Sequence, residues 1–383
     1  MKITKVQPLV CNGGVRNWVF VKVETDEGIT GYGDASACPG EAIIAEAVRD
    51  LADFVVGEDP FNTEMLWSKM YRGSTWYGLG GVVNSAISGI DTALWDIKGK
   101  ALDTPVYNLL GGRCRDRVEL YVHCDALEQG DDLTAVSENT QRIVDEGFRT
   151  VKTHLVAEVC KVPRTERMNR GLERRIIKDT AAKVEVIRKT AGEDVEICID
   201  VNGILNVPTA VRLGRALEPY DLLFYEEPVP PENAEAMKRV RDSVKIPICT
   251  GERLYSTHSY RRLLELQAVD IVMPDLQKCA GLTEAKRIAA LAETYYATVA
   301  PHNYNSPLTP IIDAHLCATL SNFLILEFVW PDIEWRDEVM TAPLHVEDGH
   351  LVLPEGPGWG VDLVEEEIAK HPYRKTTLLK GVY

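Results

Sequence analysis

The sequence lacks the features that usually mark membrane, secreted and nucleic-acid-binding proteins. No apolar stretch approaches the roughly 20 residues of a membrane helix, and residues 1–11 lack the apolar core of a signal peptide. Basic residues are in deficit, since 42 Lys and Arg stand against 58 Asp and Glu, and the net charge of −16 repels a phosphate backbone. We therefore expect a soluble, cytoplasmic protein with no nucleic-acid or membrane partner.

Closely paired cysteines are also missing. The nine cysteines are an odd number, and Cys198 and Cys249 lie inside apolar runs. This arrangement is typical of reduced core thiols rather than of a disulfide frame or a zinc knuckle. The 383 residues, of which 45% are apolar and 26% charged, have the composition of a globular protein. A chain of this length favours two domains, or one barrel with a smaller additional unit.

The first 115 residues predict an α+β domain. Residues 18–24 alternate in period two, a turn follows at Asp26-Glu27-Gly28, and residues 29–33 return as a second strand of a hairpin. Apolar residues at three- and four-residue spacing predict helices over 42–56 and 85–102. The irregular segment 330–383 is expected to fold back onto this domain.

Residues 116–329 alternate between short apolar runs and helical stretches. Eight strands are predicted, at 119–123, 150–154, 196–200, 222–226, 246–252, 270–275, 298–302 and 324–327. Eight such units predict a parallel β barrel of the TIM type, and an open, doubly wound sheet is the alternative. One charged stretch, 157–178, interrupts the pattern and is either a solvated excursion or a lid or subunit contact.

Six consecutive predicted strands end in an ionisable residue. These residues are about 23 to 27 positions apart, one strand and helix unit each: Asp200, Glu226, Glu252, Asp275, His302 and Glu327. All six are therefore expected at the carboxyl-terminal rim of the barrel, which is the active-site face of this fold. One strand-end carboxylate is usually only solvated, but six in register indicate a site.

The first three of these residues predict a metal ion. Asp200, Glu226 and Glu252 on neighbouring strands would repel one another unless a cation neutralised them. An all-oxygen set favours Mg²⁺ over Mn²⁺ or Ca²⁺, and the absence of a thiol disfavours zinc.

The remaining ionisable residues predict acid–base chemistry. Asp275 and His302 are one unit apart, so the carboxylate can hold one imidazole nitrogen while the other takes a proton. On the second strand, alternation places Lys152 and His154 on one face, from which both can reach the cavity. Removing a proton next to a carboxylate creates an enediolate, whose charge a divalent ion and nearby donors stabilise. We expect Glu327 to hydrogen-bond a substrate carboxylate oxygen, either in its protonated form, toward which burial among acids raises a carboxyl pKa, or through a neighbouring residue.

The chain resembles the enolase superfamily, mandelate racemase branch, over essentially its whole length. The residues that carry this resemblance are the hairpin Val19–Gly28, Gly89–Lys100, Tyr225-Glu226-Glu227-Pro228, Thr250-Gly251-Glu252-Arg253, Pro274-Asp275 and Ala300-Pro301-His302. The resemblance implies an N-terminal α+β capping domain over a modified (β/α) barrel, and Mg²⁺ on Asp200, Glu226 and Glu252. It also implies a His302–Asp275 dyad that abstracts the α-proton of a hydroxy acid, Glu327 as the carboxylate-binding acid, and a homo-oligomer, commonly an octamer.

Within that superfamily the sequence most resembles the galactonate dehydratases, with two differences. Asn202 stands where that group has a histidine, and His154 stands where the racemases have a second lysine. We therefore expect a Mg²⁺-dependent dehydratase of an aldonic or aldaric acid that yields a 2-keto-3-deoxy acid. The alternatives are a racemase, epimerase or cycloisomerase that uses His154 and His302, and a noncatalytic metal-stabilised binding protein. Besides Asn202, the predicted substrate-binding residues are Arg16, Trp76 and Tyr77.

Overall fold

Three antiparallel strands form the sheet of the first domain. In the computed structural model, which describes residues 1–37, 39–78, 80–124, 132–156 and 171–375, they are β1 (Ile3–Gly13), β2 (Arg16–Thr25) and β3 (Thr30–Asp34). The predicted β2–β3 hairpin is confirmed, with Val21 opposite Gly33. The sequence patterns above did not predict β1, which pairs with β2 from Ile3 to Gly13.

In its described residues the first domain also has four α-helices, of which the first and the third pack against this sheet. They are α1 (Glu41–Leu51), α2 (Thr63–Gly73), α3 (Gly81–Ala101) and α4 (Val106–Leu109), with 3₁₀ turns at Ala52–Phe54 and Ser74–Tyr77. The helix α3 lies so close to β3 that a Cβ on Gly33 would be 2.0 Å from the Gly89 carbonyl oxygen. Glycine is therefore required at this crossing.

Eight parallel strands follow at the predicted positions. They are β4 (Arg117–His123), β5 (Thr150–His154), β6 (Glu196–Asp200), β7 (Phe224–Glu226), β8 (Ile248–Thr250), β9 (Ile271–Val272), β10 (Thr298–Val299) and β11 (Leu326–Glu327). They pair in sequence order from β4 to β10, β11 pairs with β4, and Leu324 N donates to Val299 O at 2.8 Å. The sheet therefore closes, which confirms the barrel; the open, doubly wound alternative is wrong.

Helices surround the barrel, and side chains fill it. The helices are α5 (Leu133–Asp145), α6 (Arg174–Ala191), α7 (Val207–Leu217), α8 (Ala234–Arg241), α9 (Thr257–Glu265), α10 (Leu282–Glu293) and α11 (Thr309–Cys317), with a 3₁₀ turn at Glu218–Tyr220. The barrel interior includes Tyr121, Cys198, Phe224 and Cys249. The seven cysteines in the described ranges are free, and six of them are buried, as predicted for core thiols, whereas Cys114 is exposed. A filled interior leaves the carboxyl-terminal rim as the place for a site.

The C-terminal segment contacts both parts. After a 3₁₀ turn (Arg336–Val339), the hairpin β12 (Val346–Glu347) and β13 (His350–Val352) pairs antiparallel with β4, and α12 (Glu365–Lys370) follows. The Trp359 indole donates to the Tyr32 carbonyl oxygen at 2.8 Å, which ties this segment to the first sheet. Of the predicted insertion 157–178, residues 157–170 lie outside the described part of the chain. No helix in the described ranges has the length and apolarity needed to span a membrane.

Candidate active site

The three predicted metal ligands lie side by side at the rim. Asp200 and Glu226 are the last residues of β6 and β7 and are direct register partners, while Glu252 follows β8 by two residues. Asp200 and Glu226 are buried. Burial, together with the charge of Asp200, raises the pKa of Glu226 well above its usual value. The contribution of Asp200 is the repulsion that the strand-end pattern predicts.

Each of the three carboxylates is paired with a basic side chain of the same rim. Glu226 Oε2 lies 3.1 Å from Lys152 Nζ, Glu252 Oε2 lies 3.0 Å from His302 Nε2, and Asp200 Oδ2 lies 3.5 Å from His154 Nε2. In these side-chain conformations, no three His, Cys, Asp or Glu residues of the described part form a metal-binding group.

The donor chemistry nevertheless fits a hard divalent cation. The other oxygen of Glu226, Oε1, is buried without a hydrogen-bond partner. An unpartnered carboxylate oxygen beside two further carboxylates is the environment that oxygen-preferring cations satisfy.

The predicted His302–Asp275 pair is present. His302 Nδ1 lies 2.7 Å from Asp275 Oδ2, and the same oxygen accepts from Lys278 Nζ at 2.9 Å. This contact leaves His302 Nε2 directed at the carboxylates of Glu252 and, at 3.8 Å, Glu327. Burial and Lys278 lower the pKa of His302, but Glu327, Glu252 and Asp275 outweigh them and raise it to about 10. The imidazole is therefore protonated while these carboxylates lack a cation, and a role as base requires positive charge beside Glu252.

Glu327 is ionised, contrary to the expectation of a protonated acid. Its Oε1 lies 2.5 Å from Lys152 Nζ and 2.7 Å from His123 Nε2, and its Oε2 accepts from the Asn303 backbone N–H at 2.9 Å. Burial raises the pKa of Glu327, but Lys152 and His302 outweigh it and place the pKa well below the usual value. The expected direction was wrong because the sequence does not show how closely the cations surround this carboxylate.

His123 is a site residue that the sequence reasoning missed. It ends β4, stacks on His154 with ring centroids 5.2 Å apart, and reaches Glu327. Burial and the ammonium of Lys152 lower the pKa of His123, which favours the neutral ring. The strand-end rule that selected the other six residues, applied to the first barrel strand, would also have selected His123.

The predicted substrate-binding residues lie in different environments. Asn202, with a left-handed φ of 50°, donates its backbone N–H to Asp200 Oδ1 at 2.7 Å and thereby orients that carboxylate. Arg16 is buried and bonded to Asp332 and Asn305. Trp76 is 94% exposed, so it is not packed against the strand ends, and the Tyr77 side chain lies outside the described part. Their roles toward a substrate stay predictions.

Comparisons with known proteins agree with this geometry. Residues 6–111 match the N-terminal domain model of mandelate racemase and muconate lactonizing enzyme, and residues 135–367 match the enolase C-terminal domain-like model. The chain belongs to the mandelate racemase/muconate lactonizing enzyme family of the enolase superfamily. The predicted resemblance and the enolase-like fold are thus confirmed, and the first domain is the capping domain of this enzyme family.

Named relatives cover nearly the whole chain. It is 36% identical to the D-xylonate dehydratase of Haloferax volcanii over 98% of this chain and 90% of that protein. It is 40% identical to the D-galactonate dehydratase of Variovorax paradoxus over 92% of this chain and 90% of that protein. The crystal structure of the 3,6-anhydro-D-galactonate cycloisomerase from Zobellia galactanivorans has a TM-score of 0.86 and 33% identity, covering 98% of this chain and 100% of that one.

Proposed function

We propose that the protein is a Mg²⁺-dependent dehydratase that converts an aldonic or aldaric acid into its 2-keto-3-deoxy acid. The observation that carries this proposal is the His302–Asp275 pair, whose second imidazole nitrogen, Nε2, lies 3.0 Å from Glu252 among the carboxylates of the rim. The names of the sugar-acid dehydratase relatives support the substrate class and the reaction.

The side chains present account for removal of the α-proton. His302 Nε2 accepts the proton from C2, while Asp275, bonded to Nδ1, fixes the ring orientation and stabilises the imidazolium that forms. Lys152 supplies a buried positive charge at the rim, which we expect to counter the substrate carboxylate. A divalent cation held by Asp200, Glu226 and Glu252 would supply Lewis-acid stabilisation of the charge that develops on that carboxylate.

Dehydration then requires a proton for the hydroxyl that leaves C3. Cleavage of the C3–O bond releases water, and the resulting enol becomes the 2-keto acid. Two groups are the proposed donors of this proton: His302, which has just received one, and His154, which lies on β5 and is separated from β10 by β4 and β11. The His123 ring stacks on the His154 ring, with the ring centroids 5.2 Å apart.

A product assay tests the proposal. The purified protein with MgCl₂ is incubated with D-xylonate, D-galactonate and further aldonic and aldaric acids, and 2-keto acid is measured with semicarbazide. We expect keto acid from at least one of these acids, and a loss of about 10² to 10⁴ in the rate of H302N, which is the usual contribution of an acid–base group. The matched control is H345N, which replaces an exposed histidine and should leave the rate unchanged.

The second candidate is an isomerase that shares the first step. His154 and His302 on different sides of the barrel suit proton transfer across two faces of C2, and the cycloisomerase of similar structure supports this candidate. Proton NMR in deuterium oxide distinguishes the two. If the proton at C2 exchanges but no keto acid forms, the isomerase proposal replaces the dehydratase proposal. If neither exchange nor keto acid is seen, both proposals are contradicted.

A further inference from the structure

Arg16 joins the first domain to two rim segments at once. The guanidinium Nε donates to the Asn305 carbonyl oxygen at 3.0 Å, and Nη2 donates to Asp332 Oδ2 at 2.9 Å. The same group lies over the Tyr304 ring, 4.6 Å from its centroid. Arg16 is 3% exposed and the Asp332 side chain 7% exposed, so this ion pair is shielded from solvent.

The two segments that Arg16 joins carry the principal acid–base groups. Tyr304 and Asn305 follow His302 after β10, and Asp332 follows Glu327 after β11. A guanidinium can bridge two acceptors in one plane because its donors form a rigid fork, which a lysine ammonium lacks. Arg16 therefore bridges the two segments.

Asn305 extends this connection to the dyad. Its side-chain Nδ2 lies 3.4 Å from Asp275 Oδ2 and 3.5 Å from Oδ1, while its carbonyl oxygen is held by Arg16. Asp275 in turn holds His302 Nδ1. A chain of three contacts thus runs from Arg16 of the first domain to the imidazole.

A second residue of the first domain holds the next turn of the same segment. Asp34, at the end of β3 and fully buried, accepts from the Ser306 hydroxyl and, at 3.0 Å, from the Thr309 hydroxyl at the start of α11. Because Asp34 anchors the far side, loss of Arg16 is expected to shift residues 303–305 without unfolding the segment.

We propose that Arg16 is a positioning residue that aligns the His302–Asp275 pair and the Glu327 segment, rather than a group that binds substrate. Of the two tests below, only the kinetic one rests on the proposed function. A misplaced supporting contact of this kind lowers activity about 10- to 100-fold. Because the contacts of Arg16 are to the protein, its loss should lower kcat and leave KM within about threefold.

The kinetic test uses R16K, R16A and D332N, each assayed for kcat and KM. We expect all three to lose about tenfold or more in kcat, and R16A/D332N to be no worse than R16A, since the two residues act through one contact. The matched control is R287A, which removes another ion pair between the first domain and the barrel, that of Arg287 with Glu64, and should keep the wild-type kcat. A KM raised more than tenfold at unchanged kcat in R16K would overturn the proposal in favour of substrate binding.

A spectroscopic test works even if no substrate is turned over. The Nδ1–H proton resonance of His302 is identified in ¹⁵N-histidine-labelled protein as the one missing in H302N. We expect this resonance to shift or broaden in R16K and D332N but not in R287A, with circular dichroism confirming that each variant is folded. An unchanged resonance in both R16K and D332N would overturn the proposal, whatever the substrate of the enzyme is.

Discussion

At the scale of single residues, Lys152 is a buried cation among the carboxylates of the site. Its ammonium is almost fully buried and contacts two carboxylates, Glu226 and Glu327. Burial lowers the pKa of Lys152, but these carboxylates outweigh it and raise the pKa well above the usual value. The charge of Lys152 is therefore permanent and balances part of the negative charge of the rim.

Replacing Lys152 by methionine should destabilise the metal-free protein. K152M leaves two buried carboxylates without their common partner, and breaking a buried pair costs about 3 to 5 kcal/mol of unfolding free energy. Urea unfolding in the presence of EDTA measures this change, and K152M/E327Q should recover part of it because one uncompensated charge is gone. The control K189M removes an exposed lysine paired with Glu185 and should unfold at the wild-type urea concentration. A K152M curve that coincides with the wild type would refute this account of the pair.

At the scale of elements, α11 connects the barrel to the first domain through a buried histidine. His315 Nδ1 accepts from the Tyr107 backbone N–H at 3.1 Å, and its Nε2 lies 3.3 Å from the Trp359 carbonyl oxygen. Burial lowers the pKa of His315 to about 4, although the contact with Trp359 opposes this. The ring is therefore neutral in the folded protein at the pH values where an exposed histidine gains a proton.

This burial predicts a loss of stability in mild acid. An unfolded histidine has a pKa of about 6.5, so between that pH and about 4 the unfolded chain binds the extra proton and the folded chain does not. The unfolding free energy should fall as pH drops through this window, by up to about 3 kcal/mol from this residue. The glutamine side chain in the variant H315Q retains a donor and an acceptor but does not titrate, so the stability of this variant should fall less. Equal losses in wild type and H315Q between pH 7 and 4.5 would show that His315 has no such effect.

At the scale of the whole molecule, a cation at the rim would act on folding, because the carboxylates come together only in the closed barrel. Asp200 and Glu226 end two strands and Glu252 follows a third, and the unfolded chain does not hold them in one place. A ligand that binds only the folded state stabilises it by about 2.7 kcal/mol at 100 times its Kd.

Magnesium should therefore raise the thermal midpoint, and EDTA should reverse the effect. E226Q should abolish the response, whereas E232Q, which removes one exposed acid, should keep it. Sodium chloride at equal ionic strength controls for screening. If Mg²⁺ gives no larger shift than sodium, or if E226Q responds as the wild type does, these carboxylates are not the cation site.

The amino-acid sequence alone determined where the barrel strands lie and which six residues stand at their ends. Both follow from local rules, since alternation and spacing along the chain fix which residue closes each strand, and Asp200 beside Glu226 is a direct result. The long-range partners of these residues are visible only in the folded protein. His123 reaches Glu327 across 204 positions and Arg16 reaches Asp332 across 316, and no local pattern encodes such contacts. The same reason explains why the pKa of Glu327 is lowered whereas the pKa of Glu226 is raised. The pKa of a buried group depends on the charges that surround it, and only folding brings those charges together.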